Sequence, residues 1–143
     1  GNAGFGNTTC SERIHVTGNI IATGEITAYY SDIRLKSNIQ PLTNAVDKVT
    51  KLIGFTYNPN ELSVRLTGNE NLSRRVGISA QDLQEVLPEA VRLAPFDNDG
   101  GKSKSGENYL TIQYEKIVPL LIEAIKELKQ EIEELKYGNV RYN

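Results

Sequence analysis

Ser31 and Lys36, five residues apart, are the two residues of this chain whose types together could cut a peptide bond. A serine hydroxyl is a poor nucleophile until a base takes its proton, and a lysine can be that base if burial depresses its pKa towards neutrality. On a regular helix five residues correspond to about 500° of rotation, which leaves the two side chains on different faces. The pair therefore requires an extended or turning segment that brings Ser31 back to Lys36. Serine and lysine are common, so the spacing alone carries little weight.

The segment before Ser31 contains a short repeat with a period of six residues. Residues 17–22 are T-G-N-I-I-A and residues 23–28 are T-G-E-I-T-A, after a Gly-, Asn-, Thr- and Ser-rich stretch at 1–13 that predicts a loop. An even period keeps equivalent side chains on one face of a strand, and the glycines would turn the chain between short strands. Two copies cannot bury their own apolar faces. We therefore expect residues 1–30 to be the end of an upstream β-fibre or β-helix; a simple hairpin packed on the following domain is the alternative.

Residues 31–143 predict a small α+β domain in which short strands and helices are mixed. One helix is expected from Thr43, as its N-cap, to about Leu52, and a second from 80 to 86 with Ser79 as its N-cap. Four short strands are expected, at 55–57, 76–79, 90–94 and 109–112. Two polar stretches are expected to form arms outside the core, at 61–75 and 95–108.

The final helix carries the most regular pattern in the chain. Its apolar residues, here named the heptad seam, alternate at spacings of three and four: Val118, Leu121, Ile125, Leu128, Ile132 and Leu135. This is the a/d pattern of a coiled coil, and Glu131 and Lys136 take the g and e positions where parallel helices exchange charge pairs. Isoleucine at a with leucine at d favours two strands. Packing of the helix on its own domain is the alternative, and Pro119 is expected in the first turn or at a kink.

Composition excludes several classes of partner and site. The net charge of −2, from 18 acidic and 16 basic side chains, gives no basic field for nucleic acid. No run approaches the length of a membrane span, about 20 apolar residues. The single Cys10 excludes an internal disulfide, and the single His15 has no companions at ligand spacing, so we expect no metal site. The glycines at 1–6 lack the lysine of a phosphate loop, and no cofactor is expected.

The run S-D-I-R-L-K-S-N-I at 31–39 resembles the start of the C-terminal intramolecular chaperone of phage endosialidases, tailspikes and tail fibres. The same domain type occurs in the self-cleaving membrane-bound myelin regulatory factors. Further motifs are similar to that family and stand in the same order: G-F-T-Y at 54–57, V-G-I-S-A-Q-D-L at 76–83, L-P-E-A-V at 87–91 and V-P-L-L-I-E-A-I-K-E-L at 118–128. The resemblance covers residues 31–143, and the repeat before them is similar to the fibre end that precedes such domains.

The resemblance implies a domain that assembles as a homotrimer through its C-terminal coiled-coil helix. Such a domain holds three fibre chains together, guides folding of the intertwined β-structure upstream in the same chain, and then releases itself. Three-fold assembly follows from the resemblance, whereas the a/d residues alone favour two strands. The implied location is the host cytoplasm during assembly, with the fibre part retained on the virion and the chaperone released. Nucleic acid and membrane are not expected partners.

The resemblance also implies an autocatalytic serine peptidase with a Ser-Lys dyad. The scissile bond would be Tyr30–Ser31, with Ser31 as the nucleophile and Lys36 as its general base. Asp32 would orient Lys36 or the backbone; the alternative is a carboxylate that forms or caps a turn. Arg34 would form a salt bridge or an interchain contact. Because early cutting would discard the chaperone, we expect the dyad to stay unassembled until the chains have folded.

Two alternatives from other classes stay open. The first is a structural trimerisation tip that does not cut itself; an intact Ser31 and Lys36 pair argues for the cutting form. The second is a receptor-binding tip whose polar loops touch a glycan. Aromatic residues in those loops would favour it, and Phe96 is the only one within 61–75 and 95–108.

Overall fold

The computed structural model of the protein describes residues 1, 3–6, 8 and 13–138, which fall in two compact units that meet between Pro41 and Leu42. The predicted division of function lies instead at Tyr30–Ser31, and that division stays a prediction. Cys10, for which no pairing was expected, lies outside the described residues. No helix among the described residues has the length and apolar character needed to cross a membrane.

In the first unit, two strands pair in parallel before the repeat. Strand β1 (Ala3–Phe5) lies beside β2 (Ile14–Val16), so part of the stretch predicted as a loop is extended. In the single chain residues 17–28 contain no strand, and the prediction that the repeat forms short strands when it stacks on neighbours stays a prediction. The isoleucines of the repeat lie in solvent, between 72 and 90% exposed. Two repeats offer no surface on which to stack, and strands without neighbours do not persist.

The second unit is a small mixed domain of helices and short strands, which confirms the α+β class. Its helices are α1 (Ala45–Thr50), α2 (Glu61–Thr67), α3 (Ala80–Val86) and α4 (Val118–Gly138). Its strands are β3 (Phe55–Tyr57), β4 (Arg75–Gly77), β5 (Val91–Leu93), β6 (Asn98–Asp99), β7 (Lys102–Ser103) and β8 (Leu110–Ile112). Three antiparallel pairs form among them, β3 with β4, β5 with β8 and β6 with β7.

The core of the second unit lies between α1, α3 and α4. Its buried apolar residues form one cluster, made of Ala45, Leu83, Val86, Leu87, Ala90, Ile117, Leu120 and Ala124. Helix α3 begins where the sequence predicts, because the Ser79 side chain accepts a hydrogen bond from the backbone nitrogen of Asp82 at 3.2 Å. Pro119 lies in the first turn of α4, where its missing N–H costs nothing.

Helix α1 differs from its prediction at both ends and in its cap. It spans Ala45–Thr50 rather than Thr43 to Leu52, and no side chain of its own N-terminal segment caps it. The carboxylate of Glu127, on α4, instead accepts hydrogen bonds from the backbone nitrogens of Ala45 and Val46, each at 2.9 Å. A tertiary contact thus supplies the acceptor that Thr43 was expected to provide.

The two predicted arms are more ordered than their polar composition suggested. The first contains α2, because the Asn60 side chain caps it by accepting from the Ser63 nitrogen at 2.9 Å, and Gly68 ends it with φ of 68°. The second closes around the carboxylate of Asp97, which is only 2% exposed. Asp97 accepts from Ser103 Oγ at 2.8 Å and from the backbone nitrogens of Ser105 and Tyr109 at 2.8 and 2.9 Å.

Helix α4 presents two different faces. Leu120 and Ala124 enter the core, and Glu127 faces α1. The heptad seam lies outside that core, with each of its six side chains between 43 and 70% exposed. Packing on the domain's own core therefore uses other residues than the seam, and the single chain leaves the seam uncovered.

Candidate active site at the junction

A short 3-10 turn, Ile33–Leu35, brings the two predicted catalytic side chains together. Lys36 Nζ donates a hydrogen bond to Ser31 Oγ over 3.1 Å. This is the distance over which a general base can take a proton from a serine hydroxyl. The sequence predicts that the pair needs a turning segment, and the structure has one. The catalytic roles of the two residues stay a prediction.

The turn is closed by bonds within six residues of chain. The backbone nitrogen of Leu35 donates to the Asp32 carbonyl at 3.1 Å, and that of Lys36 to the Ile33 carbonyl at 3.2 Å. Each bond closes the tight ring of a 3-10 helix, which reverses the chain after three residues. The approach of Lys36 to Ser31 is therefore produced locally and requires no contact from elsewhere in the chain.

Asp32 and Arg34 form a second closure of the same turn. The Asp32 carboxylate accepts from the Arg34 backbone nitrogen at 2.9 Å, from Nε at 3.0 Å and from Nη2 at 2.7 Å. The side-chain and backbone hydrogen bonds of Arg34 lower the pKa of Asp32, and the carboxylate in turn raises the pKa of Arg34. Asp32 thus occupies the geometry of a capping carboxylate bound to arginine. The capping part of this contact is predictable from sequence, because aspartate commonly accepts a hydrogen bond from the backbone amide two residues further on.

The junction is open to solvent, and several residues next to it in sequence have exposed apolar side chains. Ser31 and Lys36 are both exposed. The apolar collar, our name for the exposed apolar side chains near them in sequence, comprises Tyr29, Tyr30, Ile33, Leu35 and Ile39, which are 57 to 100% exposed. Exposure of five large apolar side chains within 11 residues of sequence is unusual for a free surface.

The expectation that the dyad stays unassembled until the chains have folded stays a prediction. In the single chain Lys36 Nζ already lies within hydrogen-bond distance of Ser31 Oγ. The physical reason is that the turn depends on short-range bonds alone, so it forms whenever its own residues are free to close it.

The described residues contain no cluster of three or more His, Cys, Asp and Glu side chains suited to a metal ion. His15 lies in β2 and is partly buried. Two polar residues with structural roles escaped the sequence analysis, Asp97 in the second arm and Glu127 on α4. Composition carried no sign of either, because both sit among other charged residues and are set apart only by tertiary contacts.

Comparison with known proteins identifies the family. Residues 31–92 match the family model described as the chaperone of endosialidase, whose name also classes it as a peptidase. The match begins at Ser31, the residue that follows the predicted scissile bond. Residues 31–92 are thus similar to the chaperone of endosialidase family, which confirms the resemblance over this segment.

The similar proteins include phage tail fibres and proteins of a cellular organism. Long tail fiber protein Gp37 of Enterobacteria phage K3 is 42% identical over 106 residues, covering 74% of this chain and 8% of that protein. Gp37 of Enterobacteria phage M1 is 40% identical over 107 residues, covering 74% of this chain and 38% of that protein. Myelin gene regulatory factor-like A of Dictyostelium discoideum is 33% identical over 135 residues, covering 90% of this chain and 14% of that protein. The chain thus spans less than a tenth of the fibre protein of phage K3.

Proposed function

We propose that residues 31–143 form an intramolecular chaperone that guides folding of an upstream phage tail fibre or tailspike and then cuts itself free between Tyr30 and Ser31. The observation that carries the proposal is the 3.1 Å contact between Lys36 Nζ and Ser31 Oγ at the first residue of the family match. Residues 1–30 are, on this proposal, the end of the fibre that remains after the cut. The chain is therefore proposed to be an enzyme that acts once, on itself.

The cut proceeds in two steps through an ester. Neutral Lys36 Nζ takes the proton of the Ser31 hydroxyl, and the oxygen attacks the carbonyl carbon of Tyr30. The bond from that carbon to the Ser31 nitrogen breaks, and the nitrogen leaves as an amine with the proton that Lys36 held. Water then hydrolyses the ester between Tyr30 and Ser31 Oγ, which frees the Tyr30 carboxylate and regenerates the serine hydroxyl.

Desolvation of Lys36 is the step that we propose to be controlled. A lysine becomes a general base when removal of water disfavours its charged form, and Lys36 is exposed in the single chain. The apolar collar around it gives neighbouring chains a surface to cover. When the fibre chains have folded and associated, that covering excludes water from the dyad. Cutting would then follow folding even though the two atoms already lie together.

The heptad seam supports the proposed homotrimer. Its exposed apolar side chains have no partner within the domain core, and burying them requires other helices. Glu131 and Lys136 occupy g and e positions, which pair between neighbouring helices only when the helices run in the same direction. Three parallel chains also bring three junctions to the same end of the assembly. The number three is taken from the family, because the a/d residues alone favour two.

Location and partners follow from the same proposal. The similar proteins named long tail fiber support a fibre that remains on the virion after the cut. Assembly would take place in the host cytoplasm, with the fibre part of the same chain and two further copies as partners. The proposal requires no cofactor, nucleic acid or membrane.

The mass of the purified chain tests this function. The expected result is two fragments of 30 and 113 residues, counted from a cut after Tyr30. Ser31→Ala and Lys36→Ala should each stay intact and still elute as trimers from a sizing column. An intact wild-type mass in trimeric protein would favour the other candidate, a trimerisation tip that does not cut itself, for which the uncovered heptad seam is the supporting observation. A monomeric Ser31→Ala chain would contradict the separation of assembly from cutting.

A further inference from the structure

We propose that Arg34 is a positioning residue for the cut, a role that rests on the proposed function of the junction. Its guanidinium holds the Asp32 carboxylate over the start of the 3-10 turn, and the turn holds Lys36 against Ser31. Arg34 touches neither the scissile bond nor Lys36 in this arrangement. It acts through Asp32, and its loss slows cutting without unfolding the domain.

The geometry of the Asp32 and Arg34 contact supports this role. Three donors of Arg34 converge on one carboxylate, with Nε at 3.0 Å from Oδ1, Nη2 at 2.7 Å from Oδ2 and the backbone nitrogen at 2.9 Å from Oδ1. The planar guanidinium matches both oxygens at once, which a lysine ammonium cannot do. The hydrogen bond from the Arg34 backbone nitrogen caps the turn. The two bonds from the guanidinium, named here the arginine fork, go to the same Asp32 carboxylate.

The turn needs this support because little else holds it. A three-residue 3-10 turn has two backbone hydrogen bonds, and its hydrogen-bond geometry is poorer than that of an α-helix. Ile33 and Leu35 are each 63% exposed, so their side chains add little packing in the single chain. The fork therefore governs how much of the time Lys36 lies near Ser31. A salt bridge between exposed side chains contributes little to overall stability, so the effect of its loss appears in the cutting rate.

Five variants of the full chain separate this role from a general effect of charge. We expect Arg34→Ala and Asp32→Ala to slow cutting by a factor of about 10 to 100, since a misplacement of about 1 Å can cost about a hundredfold in rate. Cutting should be slowed less in Arg34→Lys, since a lysine ammonium can keep one contact with the Asp32 carboxylate. Asp32→Ser should cut faster than Asp32→Ala, because a serine hydroxyl can still cap the turn without carrying charge. The exchange Asp32→Arg with Arg34→Asp should not restore the rate, because the carboxylate then stands two residues beyond the cap.

Chemical rescue supplies a readout that a purely structural effect would not move. Added methylguanidine should partly restore cutting in Arg34→Ala and should leave Lys36→Ala uncut. Arg65→Lys, at an exposed arginine on α2, is the matched control and should cut at the wild-type rate. Assembly is followed on a sizing column for every variant, so that a slow cut in trimeric protein is distinguished from failed assembly.

Three results overturn the proposal in different ways. If Arg34→Ala and Arg34→Lys both cut at the wild-type rate as trimers, Arg34 has no positioning role while the proposed function stands. If the wild-type chain assembles and does not cut at Tyr30–Ser31, the proposed function fails and the role of Arg34 fails with it. Full rescue by the exchanged pair would also overturn it, because charge pairing rather than capping would then explain the contact.

Discussion

The carboxylate of Glu127 lies 2.9 Å from the backbone nitrogen of Ala45, across 82 residues of sequence, and joins α4 to the start of α1. A second bond from Val46 completes the cap, and both bonds lower the pKa of Glu127. We expect Glu127→Ala to lower the melting temperature by about 5 °C, because two amides lose their acceptor. The melting temperature of Glu127→Gln should lie between those of Glu127→Ala and the wild type. The measurement is thermal denaturation in the uncut Ser31→Ala background. Glu134→Ala, two turns further along, exposed and away from the heptad seam, is the control, and equal effects of the two alanine variants would contradict the capping role.

Leu120 and Leu121 are neighbours with separate predicted roles. Leu120 is fully buried in the core, whereas Leu121 belongs to the heptad seam and is 43% exposed. Leu120→Ala should lower the free energy of unfolding by about 2–5 kcal/mol, the usual range for a buried leucine. Leu121→Ala should leave the stability of the dissociated chain nearly unchanged and weaken assembly. Urea denaturation at low protein concentration measures the first effect and sedimentation the second. If both variants destabilise the dissociated chain equally, the assignment of two faces on α4 is wrong.

The lowered pKa of Asp97 predicts that the stability of the fold depends on pH. Burial raises the pKa of its carboxyl, but the hydrogen bonds from Ser105, Ser103 and Tyr109 outweigh burial and bring the pKa down to about 2. A folded-state pKa below the unfolded value means that the carboxylate stabilises the fold above about pH 4 and that this contribution is lost between about pH 4 and pH 2.

We expect Asp97→Asn to be less stable at neutral pH and to lose less stability on acidification. The amide of asparagine accepts only through its oxygen, because its nitrogen is a donor. It therefore cannot accept from the groups that donate to both oxygens of the Asp97 carboxylate. Denaturant midpoints across pH 2 to 7 measure both effects. Asp99→Asn, two residues on and exposed, is the matched control. Parallel pH profiles for wild type and Asp97→Asn would show that Asp97 does not carry the predicted dependence.

Cutting is predicted to depend on assembly through the heptad seam. Ile132→Asp places a charge in the middle of the proposed coiled coil and beyond the part of α4 that caps α1, so it should abolish assembly and leave the domain folded. Because this variant does not assemble, Lys36 stays in water, and the cutting rate should be lower than that of the wild type. Gln130→Asp adds the same charge at an exposed position off the seam and should cut normally. A monomeric Ile132→Asp chain that cuts at the wild-type rate would remove desolvation by neighbouring chains from the mechanism.

Local signals in the sequence predicted the parts of this fold that depend on nearby residues. Ser79 caps α3 as expected, and the strands β3 and β8 fall within the predicted ranges. Helix α2 was missed although Asn60 and Gly68 stand at its two ends, because its polar composition favoured a loop. Polar composition describes the exposed surface of a short helix and does not exclude the helix itself.

Long-range contacts explain what the sequence did not predict. The cap of α1 comes from Glu127 and the order of the second arm from buried Asp97, and neither residue differs in type from its charged neighbours. For the junction, the spacing of Ser31 and Lys36 indicated that a turn was required. The sequence analysis also offered a capping carboxylate at Asp32 and a salt bridge at Arg34, but it did not indicate that the two residues bind each other, since that contact depends on the geometry of both side chains.

Trapping of the ester between Tyr30 and Ser31 Oγ tests the central claim most directly. Hydroxylamine added during assembly should intercept the ester, and mass spectrometry should find the 30-residue fragment ending in a Tyr30 hydroxamate. Lys36→Ala should give neither hydroxamate nor cut, since the hydroxyl keeps its proton. A fragment that ends in a free carboxylate at every hydroxylamine concentration, or a cut at another bond, would contradict Ser31 as the nucleophile.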